Sequence, residues 1–188
     1  MALRYHRPTL IGIVTLACAL GGPPVQAQVA TAPELKAALL LNFVKFTSWP
    51  ASVAPDGRDL TMCVVGDDRV VIALDEVTRG QRIDGRGLVV VALGEKDNAQ
   101  GCHLLYASGL RADQEQSLID ATRGRPILTA SNSSTFMTRG GVAAFYIEGG
   151  RMKFSVNPSA AERAQLRISS KLLSLALIVK DGSDVPIR

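Results

Sequence analysis

Few side chains in this sequence have the chemistry of a reaction centre. Cys63 and Cys102 could supply a nucleophile, metal ligands or a disulfide, and His103 directly follows the second of them. A thiolate–imidazole pair needs a free thiol beside the ring. A zinc site needs three or four ligands, and Cys63, Cys102 and His103 leave the fourth place unfilled. Asp67-Asp68 are adjacent carboxylates, but on a turn ahead of a helix such neighbours serve as an N-cap and not as an acid/base pair. Ser131, Ser133 and Ser134 stand in no G-x-S-x-G frame. The strand–glycine–helix junction at Gly66 lacks both G-x-G-x-x-G and a Walker lysine, which leaves a plain βα turn. These residues point away from catalysis and call for no metal and no cofactor. His103 reads as a structural residue at a strand start.

The state of the two sulfurs depends on compartment, which the N-terminus addresses. Arg4, His6 and Arg7 give a basic start, Leu10 to Leu20 a short apolar core, and Val25-Gln26-Ala27 an A-x-A-like cut site. Residues 1–27 therefore read as a cleaved export signal and residues 28–188 as the mature domain. The apolar core is far shorter than the ~20 residues a bilayer span needs. A lipidated Cys18 is the lesser alternative, because Thr15 occupies the place where a lipobox has a large aliphatic residue. Cleavage removes Cys18 and leaves Cys63 and Cys102, and an exported chain with an even count reads as holding one disulfide. Loss of Arg4 and Arg7 also lowers the formal charge from +4 to +2. The remaining basic residues are scattered and few aromatics lie among them, so nucleic-acid binding is excluded. No later apolar segment is long enough to span a membrane.

Positioning these residues requires alternating elements. Thr31-Ala32-Pro33-Glu34 opens a helix whose Leu35, Leu39, Phe43 and Phe46 repeat at three- and four-residue steps, and Ser48-Trp49-Pro50 ends it. Its broad apolar surface predicts a helix enclosed by the fold. Leu60 to Val65 reads as a strand, Asp67 or Asp68 as the cap of a helix with Val70, Val71, Leu74 and Val77 inward, and Leu88 to Leu93 as a strand buried on both faces. Leu104 to Ala107 and Pro126 to Ala130 give two more strands. The helix between them, Asp113 to Thr122, turns Leu118, Ile119 and Ala121 inward. Val142 to Ile147 and Arg151 to Val156 flank Glu148-Gly149-Gly150 as a hairpin with one wet face. Asn157-Pro158 opens a short helix, and Lys171 to Lys180 reads as a second, apolar nearly all round. The expected fold is α/β: a single layered domain with a mostly parallel central sheet, a C-terminal antiparallel hairpin and flanking helices.

Several of these stretches resemble the YfiR family of periplasmic proteins. They are Ala37 to Pro50 (AALLLNFVKFTSWP), Cys63-Val64-Val65-Gly66-Asp67-Asp68, Cys102-His103-Leu104-Leu105-Tyr106, Gly140-Gly141, Lys153 to Asn157, and Ser169 to Ala176. They run in order through essentially all of the mature chain. The resemblance implies a non-enzymatic regulator located in the periplasm. It would bind the periplasmic region of an inner-membrane diguanylate cyclase, YfiN-like, and repress it, lowering cyclic di-GMP signalling and biofilm formation. A YfiB-like outer-membrane lipoprotein would sequester the repressor, and the repressor would be a homodimer. The best-known members carry a second disulfide near Met137 to Ala144, where this chain has no cysteine, so redox sensing through a second pair is not implied.

For the partner surface, the candidates are Trp49, the sole tryptophan, and the basic Arg167 and Lys171, which lie near the segments that carry the resemblance. Core packing for Trp49 and plain solvation for the charges are the alternatives. A second reading of the whole chain is a periplasmic small-molecule sensor or carrier, with a pocket at the strand ends near Gly66-Asp67-Asp68.

Overall fold

A computed structural model describes residues 32–180. In chain order the elements are α1 (Ala32–Lys45), β1 (Thr47–Ser48), β2 (Leu60–Val65), α2 (Asp68–Thr78), β3 (Arg82–Ile83), β4 (Arg86–Leu93), β5 (Leu104–Ala107), α3 (Ala112–Thr122), β6 (Leu128–Ser131), β7 (Ala143–Glu148), β8 (Arg151–Val156), α4 (Pro158–Arg163), β9 (Arg167–Ile168), α5 (Ser170–Leu173) and β10 (Leu177–Ile178).

Eight strands form one sheet in the order β10-β8-β7-β6-β5-β2-β4-β3, and β1 pairs with β9 in a separate antiparallel ladder. From β4 through β2, β5 and β6 to β7 every pairing is parallel. The chain leaves β2, goes out to β4, and returns to β5 on the other side of β2. The point where the order reverses, between β2 and β5, is the usual place for a ligand crevice in an open α/β sheet. The β7–β8 hairpin turns through Gly149 and Gly150, both at positive φ (58° and 72°) as a tight two-residue turn requires.

The period-2 alternation of the strands sorts side chains into two layers. Met62, Val64, Leu104 and Tyr106 enter the larger core with α1 residues Ala37, Leu40, Phe43 and Val44 and α2 residues Val70 and Leu74. Cys63, Val65 and Leu105 face the other way, into a smaller cluster that Leu118 of α3 covers. Aromatic edges lock the larger core: the Phe43 ring meets Phe154 edge-on at 5.2 Å and lies 5.7 Å from Phe145.

The architecture expected from the sequence holds, with local differences, among them Ala121 on α3, which is exposed where an inward residue was expected because the buried stripe runs through Glu115, Ile119 and Thr122. In α1 Leu35 is exposed, because the helix buries one stripe and not its whole circumference, and Phe46, expected in the same helix, lies just past its end and is exposed too. The apolar β4 is only half buried, since its outer neighbour β3 is two residues long and covers little. In β8, Ser155 is fully buried where a wet face was expected: it stands opposite Ala144, which packs with Met137 and Val179, and its hydroxyl donates to the Ala144 carbonyl. The run from Lys171 is not one helix. It makes the four-residue α5, turns at Ser174, and continues as β10, with Val179 N–H donating to the Val156 carbonyl. A short apolar run is ambiguous between helix and buried strand on periodicity alone. The export signal expected at 1–27 lies outside the described residues.

Candidate functional site

The sulfurs are joined. Cys63 on β2 and Cys102, two residues ahead of β5, form a disulfide with Cα atoms 5.8 Å apart, and both are buried beside Val65, Leu105 and Ile127. It ties together the two central parallel strands, so neither sulfur is a nucleophile or a metal ligand. Among the described residues no group of three or more His, Cys, Asp and Glu could hold a metal ion.

His103 and Trp49 form a latch beside this staple. His103 Nδ1 accepts from the Thr61 N–H at 2.9 Å, and its Nε2 lies 3.0 Å from the Val53 carbonyl. The first bond needs a bare Nδ1, so the ring is the neutral tautomer that donates from Nε2. The His103 carbonyl accepts from the Trp49 indole N–H at 3.1 Å, and the two rings meet edge-on at 6.0 Å. One residue thus holds the start of β2, the 51–59 loop and the end of the α1–β1 segment. Arg86 pins the same loop by donating to the Ala54 and Pro55 carbonyls.

The β1–β9 ladder places the three candidate partner residues on neighbouring backbone. Ser48 stands opposite Arg167, Trp49 follows Ser48, and the Ser169 N–H donates to the Phe46 carbonyl, which sets α5 and Lys171 next to the ladder. Trp49 is half buried; Arg167 and Lys171 are exposed, as are Lys45 and Phe46. Among the described residues neither Arg167 nor Lys171 forms an ion pair. Leu175, which follows α5, is 76% exposed. The strip is cationic and aromatic with an apolar margin, a composition found where proteins recognise one another.

The C-terminal rim of the sheet carries the other concave features. Asp67 caps α2 by accepting from the Val70 N–H at 3.4 Å, and its other oxygen accepts from Lys36 Nζ at 3.2 Å. Lys36 lies over the Tyr106 ring, 5.6 Å from its centroid. Burial alone would lower the pKa of this ammonium, but the Tyr106 hydroxyl and the Asp67 carboxylate outweigh it and hold the group above the ordinary lysine range. Gly66 has φ +77°, and a Cβ there would lie 2.0 Å from the Ser108 carbonyl oxygen. Backbone packed on backbone therefore closes the β2–β5 junction, and cavities open to either side of it. One, about 760 Å³, lies along α3 and the 93–99 loop and has a mixed polar and apolar lining. The other, about 410 Å³, lies between the start of α1 and the β7–β8 hairpin and is walled by Phe145, Ile147, Met152 and Ala144.

Sequence reasoning missed two charged groups that shape this rim. Glu115 is buried on α3 and pairs with Arg139 at 3.0 Å while accepting from the Thr135 hydroxyl, which ties the 132–141 loop to α3. Lys36 reads in the sequence only as a polar break in an apolar helix. Their partners, Arg139 and Asp67, are 24 and 31 residues away, a distance no periodicity spans.

A crystal structure of a conserved domain protein from Vibrio cholerae O1 biovar Eltor is similar at 14% identity and a TM-score of 0.48, over 80% of this chain and 60% of that one. The chain thus spans about 60% of the length of that protein. Among the described residues no helix is long and apolar enough to cross a membrane. Residues 33–177, from the first turn of α1 to the start of β10, match the YfiR/HmsC-like family, and the chain belongs to that family.

Proposed function

We propose that the protein is an exported, periplasmic repressor of an inner-membrane diguanylate cyclase of the YfiN kind. As a homodimer it binds the periplasmic region of the cyclase, lowers cyclic di-GMP and restrains biofilm formation, and a YfiB-like outer-membrane lipoprotein sequesters it. The reading is non-enzymatic. The observation that carries it is the family match from residue 33 to 177, which takes in the disulfide, the latch and the β1–β9 ladder together. The exposed Arg167 and Lys171 beside Phe46 and the half-buried Trp49 support a docking role for that ladder.

The test is a deletion strain. Cyclic di-GMP rises in the deletion, returns to the parental level with the wild-type gene, and stays high with an Arg167→Glu/Lys171→Glu variant that melts at the wild-type temperature. An unchanged cyclic di-GMP level in the deletion refutes repression. Full rescue by the charge-reversed variant moves the docking surface elsewhere. A second reading, a small-molecule sensor or carrier, is favoured by the apolar cavity of about 410 Å³ at the sheet rim.

A further inference from the structure

The cavity between α1 and the β7–β8 hairpin has a defined chemical character. Its walls are Phe145, Ile147, Met152 and Ala144, while Lys36, Asn132 and Ser133 supply the polar atoms. At about 410 Å³ it lies at the small end of the ~300–1,000 Å³ range of ligand sites. With ~30 Å³ per water-sized heavy atom, it holds a molecule of about ten to fourteen heavy atoms.

The charges around it favour a negative or accepting head group. Lys36 is 12% exposed and spends one N–H on Asp67. Arg69 lies 3.9 Å from the same carboxylate, so two cations share one anion and the trio is net positive. The first turn of α1 adds the positive end of a helix dipole beside Ala32, which lines the cavity. Glu34 in that turn is exposed and is not part of the wall, and Glu148, also outside the wall, is paired with Lys153. Behind the ammonium lies the fully buried Tyr106 ring, its centroid 5.6 Å from Nζ.

The geometry points to a binding site for a small amphiphile, an apolar body of up to about ten heavy atoms in the Phe145–Ile147–Met152 pocket, with a carboxylate head directed to Lys36. This goes beyond the repressor reading and does not depend on any partner. It gives the sensor reading a ligand class and a location.

Purified protein is melted with increasing decanoate, kept below its micelle concentration, with acetate and decyltrimethylammonium as comparisons. The expected result is a saturable rise in melting temperature with decanoate, and none with acetate or the cation. Ile147 is 52% exposed, so Ile147→Trp blocks the mouth without emptying the core. It weakens decanoate binding at least tenfold, as does Lys36→Met. A wild-type protein that does not respond to decanoate overturns the proposal. So does an equal response to the cation, which would mean that apolar surface alone is being read. Unchanged affinity in Ile147→Trp overturns the location, whatever Lys36→Met does to folding. Normal repression in cells with no decanoate response refutes this inference alone and leaves the proposed function standing.

Discussion

Replacing both cysteines with alanine tests how the fold is held. The Cys63–Cys102 bridge closes a loop with a sequence separation of 39. In the chain-entropy model a loop of that size removes about 13 cal/mol/K from the unfolded chain, worth about 4 kcal/mol at room temperature. That is a large share of a typical domain's ~5–15 kcal/mol. For a domain of this size each kcal/mol moves the melting temperature by roughly 2–4 °C, so the double variant should melt about 8–16 °C lower. Both residues are buried at the β2–β5 seam, so truncation also removes contacts with Val65 and Leu105 and pushes the loss towards the upper end. Calorimetry of the wild type, the reduced wild type and the double variant separates the two contributions. Reduction alone should account for most of the shift. Denaturant unfolding adds a second signature: freeing the unfolded chain raises the m-value as well as lowering the midpoint. A double variant that melts within about 2 °C of the oxidised wild type would refute the reasoning, since the 4 kcal/mol would then be absent.

Three further perturbations test the latch, the junction and the buried ion pair. His103→Ala strips partners from the Thr61 N–H and the Val53 carbonyl; at about 1–3 kcal/mol for a buried group left unpaired, a loss of about 2–4 kcal/mol is expected, with the emission of Trp49 shifted to longer wavelength as its packing loosens. Gly66→Ala should cost roughly 3 kcal/mol or more, left-handed strain plus the close approach to Ser108, whereas Gly80→Ala, at φ +71° with open space around it, should cost only the ~1–2 kcal/mol of strain; equal losses in the two would show that the β2–β5 junction is not closed by backbone contact. Glu115→Ala leaves the 23%-exposed Arg139 without its carboxylate, and a loss of about 2–3 kcal/mol in chemical denaturation is expected, below the fully buried case because Arg139 keeps the Ala112 carbonyl and some water.

The layers of the fold were legible because each central element carries its own period. Leu104 to Ala107 is bounded by His103 and Ser108, and the observed strand has those limits. The caps were legible too: Asp67 and Asn157 both accept from the backbone N–H three residues on. What the sequence hid is non-local. Two-residue ladders such as β1–β9 have no pattern of their own and exist only because α1 and α5 bring them together. The end of the chain shows the same limit, since Leu175, Leu177 and Ile178 read as a helix core until β8 is known to offer an edge. The disulfide followed from cysteine counting, whereas the Lys36–Asp67 and Glu115–Arg139 pairs join residues 31 and 24 positions apart on different elements. The candidate partner residues were placed together by the ladder, but nothing in their own spacing would have shown it.

The two functional readings meet in α1. Its first turn lines the apolar cavity and presents Lys36; its last turn leads through Phe46 into β1, Trp49 and the Arg167–Lys171 strip. At ~1.5 Å per residue its 14 residues span about 21 Å as one hydrogen-bonded rod, without a glycine or an internal proline to bend it. The end near Trp49 is held by the His103 latch and, through the sheet, by the disulfide. Towards the cavity end, Lys36 ties α1 to Asp67 at the start of α2. An occupant of the cavity therefore touches one end of a rod whose other end leads to the candidate docking strip. Coupling between two sites is reciprocal in free energy. If decanoate changes the affinity for a partner, the partner must change the affinity for decanoate by the same factor. Partner affinity that is the same with and without saturating decanoate, a coupling factor of one, would exclude α1 as a link between the two sites.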